Sequence, residues 1–397
     1  MTDDGRWVAA IHVRAGDILP LADGQRFLVS PIGRKHIRHT GPLGFRETPL
    51  FAVLKGTTAD KAEPEPSCPA RTKNRKSNPV RSGVRAAALP RCGILRISPY
   101  HTGMPPTPTS ESNVVRIGLV QSACTSDRES NVAQAIAGIA AAARQGAEVV
   151  CLQELFAGQY PCQSEDHGTF AEAEAVPGPL TERLATAARE HGVVLVGSVF
   201  ERRSAGLFHN TAVIFDADGS TAGVYRKMHI PDDPHYYEKF YFAPGDTGFM
   251  SVPTSRLAVG PLVCWDQWYP EAARLTAMAG AQTLFYPTAI GWLDGEEELH
   301  REQYESWDTM LRSHAIANGV FVVAANRTGR EGSLRFWGAS VVYAPNGQCL
   351  VQAGHDTAET LVCECDLDGI EWSRTRWPFF RDRRIDAYGG LLDRWGR

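Results

Sequence analysis

One pattern, met twice in the same order, constrains this chain more than any other feature. Val114-Val-Arg-Ile-Gly-Leu-Val-Gln121 reads as a strand. An alanine-rich helix from Glu129 to Gln145, stopped by Gly146, leads to a second strand, Glu148-Val-Val-Cys-Leu-Gln153. A helix from Pro179 to His191 precedes a strand from Val193 to Phe200. A hairpin then pairs Thr211–Phe215 with Thr221–Arg226 and turns at Asp218-Gly219. The order then recurs: strand 256–263, helix 271–280, strand Thr283–Pro287, helix 300–318, strand Val320–Ala325, and a hairpin turning at Asn346-Gly347. Strand–helix–strand–helix–strand with an antiparallel tail builds a mixed sheet with helices on its outer face. Two such units predict an α/β fold, a four-layer α-β-β-α sandwich of two mixed sheets.

The first 113 residues do not share this pattern. Trp7–Val13 and Phe27–Ser30, with Asp23-Gly24 between them, predict a small β-rich or poorly ordered module over 1–55. From 56 to 113 the composition turns to Pro, Ser, Thr, Arg and Lys, too poor in apolar surface to offset its ordering entropy. That stretch is expected to be a disordered linker, and Met104 within it is a candidate start of translation. The main folded unit is then 114–397. Charge divides the same way. Residues 1–113 carry 17 Lys/Arg and 9 Asp/Glu, whereas the remainder carries 24 and 36. An acidic body disfavours nucleic acid and tolerates a cationic small substrate.

No apolar run reaches the length of a membrane helix, and the acidic N-terminus lacks the charge pattern of a secretory signal, so no membrane association is expected. Nine cysteines without a regular spacing fit a reducing cytoplasm better than a disulfide framework. Cys363-Glu-Cys365 reads as alternating strand residues, because no second Cys/His pair has ligand spacing. No metal and no organic cofactor is expected.

Three strands end on reactive side chains: Glu154 after Cys151-Leu-Gln, Lys227 after Val224-Tyr-Arg, and Cys264 after Pro261-Leu-Val. With Pro270 opening the next helix, Cys264 sits at a strand-to-helix elbow, where the helix dipole is expected to favour a thiolate. A thiol needs a base within hydrogen-bond reach, and a carboxylate serves once burial raises its pKa. Attack on an amide or ureido carbonyl makes an oxyanion, which an ammonium and a backbone N–H stabilise. Each residue alone also has a plain structural reading: a core thiol, a strand-end charge, a local cap. His229 and His235 are alternative bases for a Cys–His pair.

Residues 114 to about 390 resemble the nitrilase superfamily of carbon–nitrogen hydrolases. The words that carry this are Gln153-Glu154-Leu-Phe, Tyr225-Arg-Lys227-Met-His-Ile-Pro, Pro244-Gly-Asp246 and Cys264-Trp-Asp-Gln-Trp-Tyr-Pro-Glu271. The resemblance implies Glu154 as general base, Lys227 as stabiliser of the oxyanion, Cys264 as nucleophile, and the Trp265 backbone N–H in the oxyanion hole. Glu238 matches a second carboxylate beside that triad. His229-Ile-Pro-Asp-Asp-Pro234 and Tyr286-Pro-Thr-Ala-Ile-Gly291 look like the N-carbamoylputrescine amidase branch. That branch implies a small ureido amine as substrate and a homo-oligomer, dimer or larger. Tyr160, Trp265, Trp292 and Asp294 are the expected substrate contacts. Gln267 and Trp268 stand where carbamoylases acting on α-amino acids carry carboxylate-binding arginines. After Gly291, however, this chain reads Trp292-Leu-Asp294-Gly-Glu where the plant-type amidases place Ser-Glu-Pro, so the acid gripping a distal amine has moved. A β-ureido acid, an ω-amide or a nitrile is the alternative substrate, and a non-catalytic scaffold the alternative class.

Overall fold

A computed structural model describes residues 113–396 and, before them, four short strands. These are β1 (Ile18–Pro20), β2 (Arg26–Leu28), β3 (His36–Gly41) and β4 (Gly44–Pro49), joined as an antiparallel meander. The strand expected at Trp7–Val13 lies outside the described residues, as does the linker apart from Asn113.

The first repeat forms one sheet. β5 (Val114–Gln121), β6 (Val149–Leu152) and β7 (Val194–Ser204) run parallel. β8 (Leu207–Phe215) and β9 (Thr221–Arg226) extend it antiparallel. The crossovers are α1 (Arg128–Arg144) and α2 (Pro179–His191). Asp127 caps α1 by accepting from the Glu129 N–H, and Gly192 ends α2 in the left-handed region that a residue without Cβ enters freely.

The second repeat builds the other sheet. β10 (Val252–Pro253) flanks β11 (Ala258–Pro261), which runs parallel to β12 (Thr283–Thr288). β13 (Gly291–Leu293) leaves this sheet, and β14 (Phe321–Asn326) rejoins it beside β12. β15 (Thr328–Glu331) and β16 (Leu334–Trp337) pair with β13 as a small third sheet. β17 (Val341–Tyr343) and β18 (Cys349–Gln352) complete the second sheet, with α3 (Pro270–Met278) and α4 (His300–Asn318) as its crossovers. β19 (Glu359–Asp366) then returns to the first sheet antiparallel to β5, ahead of α5 (Asp368–Arg376).

Side-chain alternation explains the layers. Along β6, Val149 and Cys151 face the second sheet, among Phe285, Val323 and Val259, whereas Val150 and Leu152 face Ile139 of α1 and Leu184 of α2. Along β12, Phe285 points to the first sheet, and Leu284 and Tyr286 meet Ala273 of α3 and Leu311 of α4. A strand covered on both faces is apolar throughout, which is why these runs are continuous rather than alternating. Each fully buried Leu, Ile or Val contributes about 1.5–3 kcal/mol. Gly260 lets α3 approach: a Cβ there would stand 2.7 Å from both Ala281 Cβ and Thr276 Cγ2.

The α-β-β-α sandwich therefore forms as expected, with two corrections of detail. The strand expected over 256–263 is confined to 258–261, because the chain peels away at Leu262 toward the turn that carries Cys264. Cys363 and Cys365 belong to β19, whose crossing into the first sheet the repeat did not announce.

Candidate active site

Glu154, Lys227 and Cys264 follow β6, β9 and β11, the two sheets bringing these strand ends to one edge. Glu154 and Lys227 are fully buried. Lys227 Nζ donates to Glu154 Oε1 at 2.8 Å and to both oxygens of Glu238, at 2.7 and 2.8 Å. Asn210 Nδ2 also donates to Glu154 Oε1, at 2.7 Å, and Tyr160 Oη to Glu238 Oε1 at 2.7 Å. Glu154 Oε2 is buried and has no hydrogen-bond partner among the described residues. Lys227 and Asn210 both engage Oε1, so Oε2 is the oxygen not already committed.

Two carboxylates share one ammonium here. Burial works against the Lys227 charge, but Glu154 and Glu238 outweigh it and hold the ammonium well above the usual lysine range. Burial pushes the Glu238 carboxyl up, further than the Lys227 ammonium pulls it down, and Glu154 adds to the rise.

Cys264 opens a 3-10 turn, Cys264–Trp268, and its φ of 38° lies where a side chain is strained. The expectation that a helix dipole favours its thiolate does not hold. α3 begins only at Pro270, and burial raises the thiol well above its ordinary range. Glu154 raises it further while Lys227 pulls it down, so both act on the sulfur. Burial thus favours the neutral thiol, whose attack calls for a base.

Cys264 and Glu238 open onto a cavity of about 450 Å³. Trp265, Trp268, Ile290, Leu293 and Trp337 wall it, and Glu302, Gln303 and Ser306 of α4 stand with Glu296 in its lining. Asp233 joins from the loop after Lys227; among the described residues no lysine or arginine is in the lining. Of the expected substrate contacts, Trp265 alone is in this lining. Tyr160 sits behind, holding Glu238. Trp292 packs on Trp337 and donates Nε1 to the His300 carbonyl. Asp294 is half-exposed and bound to Arg330 at 2.5 Å, outside the cavity. That loop turns its aspartate toward an arginine on β15, while Glu296 takes the inward position. His229 contacts Asp266 and His235 lies outside the cavity lining, so neither is placed as the base of a Cys–His pair.

Several further residues hold this geometry in roles that the sequence alone does not assign. Asn210 projects from β8 to Glu154; a polar side chain within the buried run His209–Phe215 is its only signal. Arg327, fully buried at the end of β14, donates to the carbonyls of Glu154, Leu155 and Gly158 and pairs with Glu331, fixing the loop after β6. Gly245, in Pro244-Gly-Asp246, packs on the Lys227 segment: a Cβ would fall 2.0 Å from the Arg226 carbonyl oxygen. Its N–H donates to the Lys227 carbonyl at 2.8 Å.

Comparison with known proteins places the chain in a family. The carbon-nitrogen hydrolase family model matches residues 116–374. The chain is 42% identical to the N-carbamoylputrescine amidase of Solanum lycopersicum over 291 residues, 71% of this chain and 96% of that one. It is 35% identical to the citrullinase of Francisella tularensis over 286 residues, 70% of this chain and 98% of the relative. A solved carbon-nitrogen hydrolase from Helicobacter pylori G27 is similar at a TM-score of 0.69 and 44% identity, covering 71% of this chain and 100% of that chain. A family match across the whole sandwich, with relatives covered almost end to end, means that this chain belongs to the carbon–nitrogen hydrolases of the nitrilase superfamily.

Proposed function

We propose that the enzyme cleaves the ureido C–N bond of N-carbamoylputrescine, or of a close ω-ureido amine, to the amine, ammonia and carbon dioxide. The observation that carries this reading is the cavity, whose lining offers Asp233, Glu296 and Glu302 and, among the described residues, no basic side chain, Glu238 being held by Lys227. Its tryptophans suit an alkyl chain and its acids a terminal ammonium. Citrulline, a β-ureido acid or an ω-amide of a dicarboxylic acid would bring a carboxylate without a cation to receive it. Arg327 is committed to backbone carbonyls, and Arg335 pairs with Asp356 at the surface.

In the mechanism, Glu154 Oε2 takes the Cys264 proton as sulfur attacks the ureido carbon. Lys227 and the Trp265 N–H, one of the unmatched donors that open a helical turn, stabilise the oxyanion. Glu154 returns the proton to the departing nitrogen, and ammonia leaves a carbamoyl thioester on Cys264. Glu154 next activates water against that thioester. The thiol is regenerated, and the released carbamate decomposes to carbon dioxide and putrescine, which feeds polyamine formation. Glu238 holds Lys227 together with Glu154.

Iodoacetamide should inactivate the enzyme by alkylating Cys264. N-carbamoylputrescine should slow this at least tenfold at saturation, and N-carbamoyl-β-alanine should not, because a ligand in the cavity shields the thiol. Equal protection by both would remove the basis for an amine substrate. Inactivation without modification of Cys264 would count against the nucleophile.

We further propose that residues 114–397 form the hydrolase domain, behind a 1–55 module and a 56–113 linker, and that the enzyme is a cytoplasmic homo-oligomer. The cysteines among the described residues are free, which supports a reducing compartment. Among those residues no helix is long and apolar enough to cross a membrane. Leu275 and Met278 on α3 are exposed, as are Trp377, Phe379, Leu391 and Trp395. Arg274 and Arg374 flank Phe380, each with a buried nitrogen lacking a partner among the described residues. Such a surface fits an interface with a second copy. Light scattering at micromolar concentration should give a dimer or larger; a monomer would contradict this.

A further inference from the structure

Two residues beyond the cysteine, the chain places an acid with no direct part in the chemistry described above. Asp266 is fully buried and is not part of the cavity lining. Its carboxylate makes four contacts. Oδ2 accepts from the Val263 N–H at 3.0 Å and from Tyr225 Oη at 2.8 Å. Oδ1 accepts from the His229 N–H at 3.1 Å and meets His229 Nδ1 at 2.8 Å. Four contacts fill the acceptor capacity of a carboxylate, leaving none for substrate.

The origin of those donors is informative. Val263 immediately precedes Cys264, while Tyr225 and His229 lie two residues before and two after Lys227. One side chain thus ties the residue that leads into the nucleophile to both flanks of the lysine. These segments come from different sheets and have no strand pairing with each other. The His229 ring also stacks on Tyr269, centroids 3.6 Å apart and planes 5° from parallel, and Tyr269 is the residue that leads into α3. Helix, cysteine turn and lysine segment therefore meet around a single carboxylate, next to a residue whose φ is already strained.

We propose that Asp266 is a positioning residue, holding the Cys264 sulfur in register with Lys227 and Glu154. The proposal rests on Cys264 acting as nucleophile and Lys227 as its electrostatic partner. Displacing such groups by as little as 1 Å costs on the order of 10²-fold in rate. An asparagine at this position keeps one acceptor oxygen but turns an NH₂ toward the Val263 N–H or the His229 N–H, so the clamp cannot close.

Asp266→Asn should keep KM for N-carbamoylputrescine within about threefold, because the cavity walls are untouched. Its kcat should fall about 10²-fold, with iodoacetamide alkylation of Cys264 slowed about tenfold. Tyr225→Phe removes a single hydrogen bond at nearly constant volume; it should lower kcat about tenfold with KM and thermal midpoint little changed, and it decides the matter if Asp266→Asn does not fold. A folded Asp266→Asn or Tyr225→Phe with kcat within about twofold of wild type would overturn the proposal, as would a change confined to KM. Turnover that survives complete alkylation of Cys264 in the wild type would instead overturn the underlying reading, and the proposal with it. An alkylated wild type that is dead beside an unimpaired Asp266→Asn overturns the positioning role alone.

Discussion

Replacing Cys264 by serine is expected to abolish turnover on amide and ureido substrates and to leave the fold intact. The sulfur's hydrogen-bond contact is a weak one, 3.9 Å from the Ala289 carbonyl oxygen, and a hydroxyl is close to it in size, so the replacement disturbs little packing. The chemistry changes far more. Burial already holds the thiol well above its ordinary pKa, and a buried hydroxyl is several units harder still to ionise. In the proposed mechanism Glu154 is the base, and a carboxylate is far too weak a base to activate an alcohol as it would a thiol. We expect kcat to fall at least about 10³-fold with the thermal midpoint shifted by only a few degrees. Retention of more than a few per cent of wild-type activity in a normally folded Cys264→Ser enzyme would exclude the cysteine as nucleophile.

Those parts of the fold built from long, doubly buried runs were legible because periodicity and length speak directly for such elements. β5 and α2 have the bounds that the apolar pattern and the Pro179/Gly192 punctuation imply. The third sheet was not legible. β13, β15 and β16 are three or four residues each and exist through pairing with one another, as at Trp292↔Arg335 and Arg330↔Arg335. Strands so short carry no period of their own. The return of β19 is also a tertiary choice: Val362 opposes Gly118 across an edge that either sheet could have offered.

At the site, Glu154, Lys227 and Glu238 meet as the motif order implied, because a strand end fixes where a side chain emerges. Asp294 did not, since a run of acids reads alike whether a loop turns it to a cavity or to an arginine. The polar face of α4 posed the opposite problem. Glu302, Gln303 and Ser306 have the spacing of a solvated helix face, yet they line the cavity because β13 and the cysteine turn rise beside them. Asp266 lay hidden within a recognisable motif, its role set by Tyr225 and His229, some 40 residues away in sequence.

Selectivity follows from charge. A substrate tail ending in carboxylate enters a cavity lined by Asp233, Glu296 and Glu302, with no lysine or arginine in that lining among the described residues, and the Lys227 ammonium behind it is already taken by Glu154 and Glu238. Like charges about 4 Å apart at an effective dielectric constant near 20 repel by roughly 4 kcal/mol, and a buried charge without a partner costs several kcal/mol more. Each 1.36 kcal/mol is about tenfold in rate, so the discrimination should reach about 10³-fold. The ratio of kcat/KM for N-carbamoylputrescine to that for N-carbamoyl-β-alanine, followed by ammonia release with citrulline as a parallel arm, tests the ureido-amine assignment most directly. The structure predicts a ratio of about 10³ or more in favour of the amine against either acid. Equal values, or a preference for an acid, would contradict it.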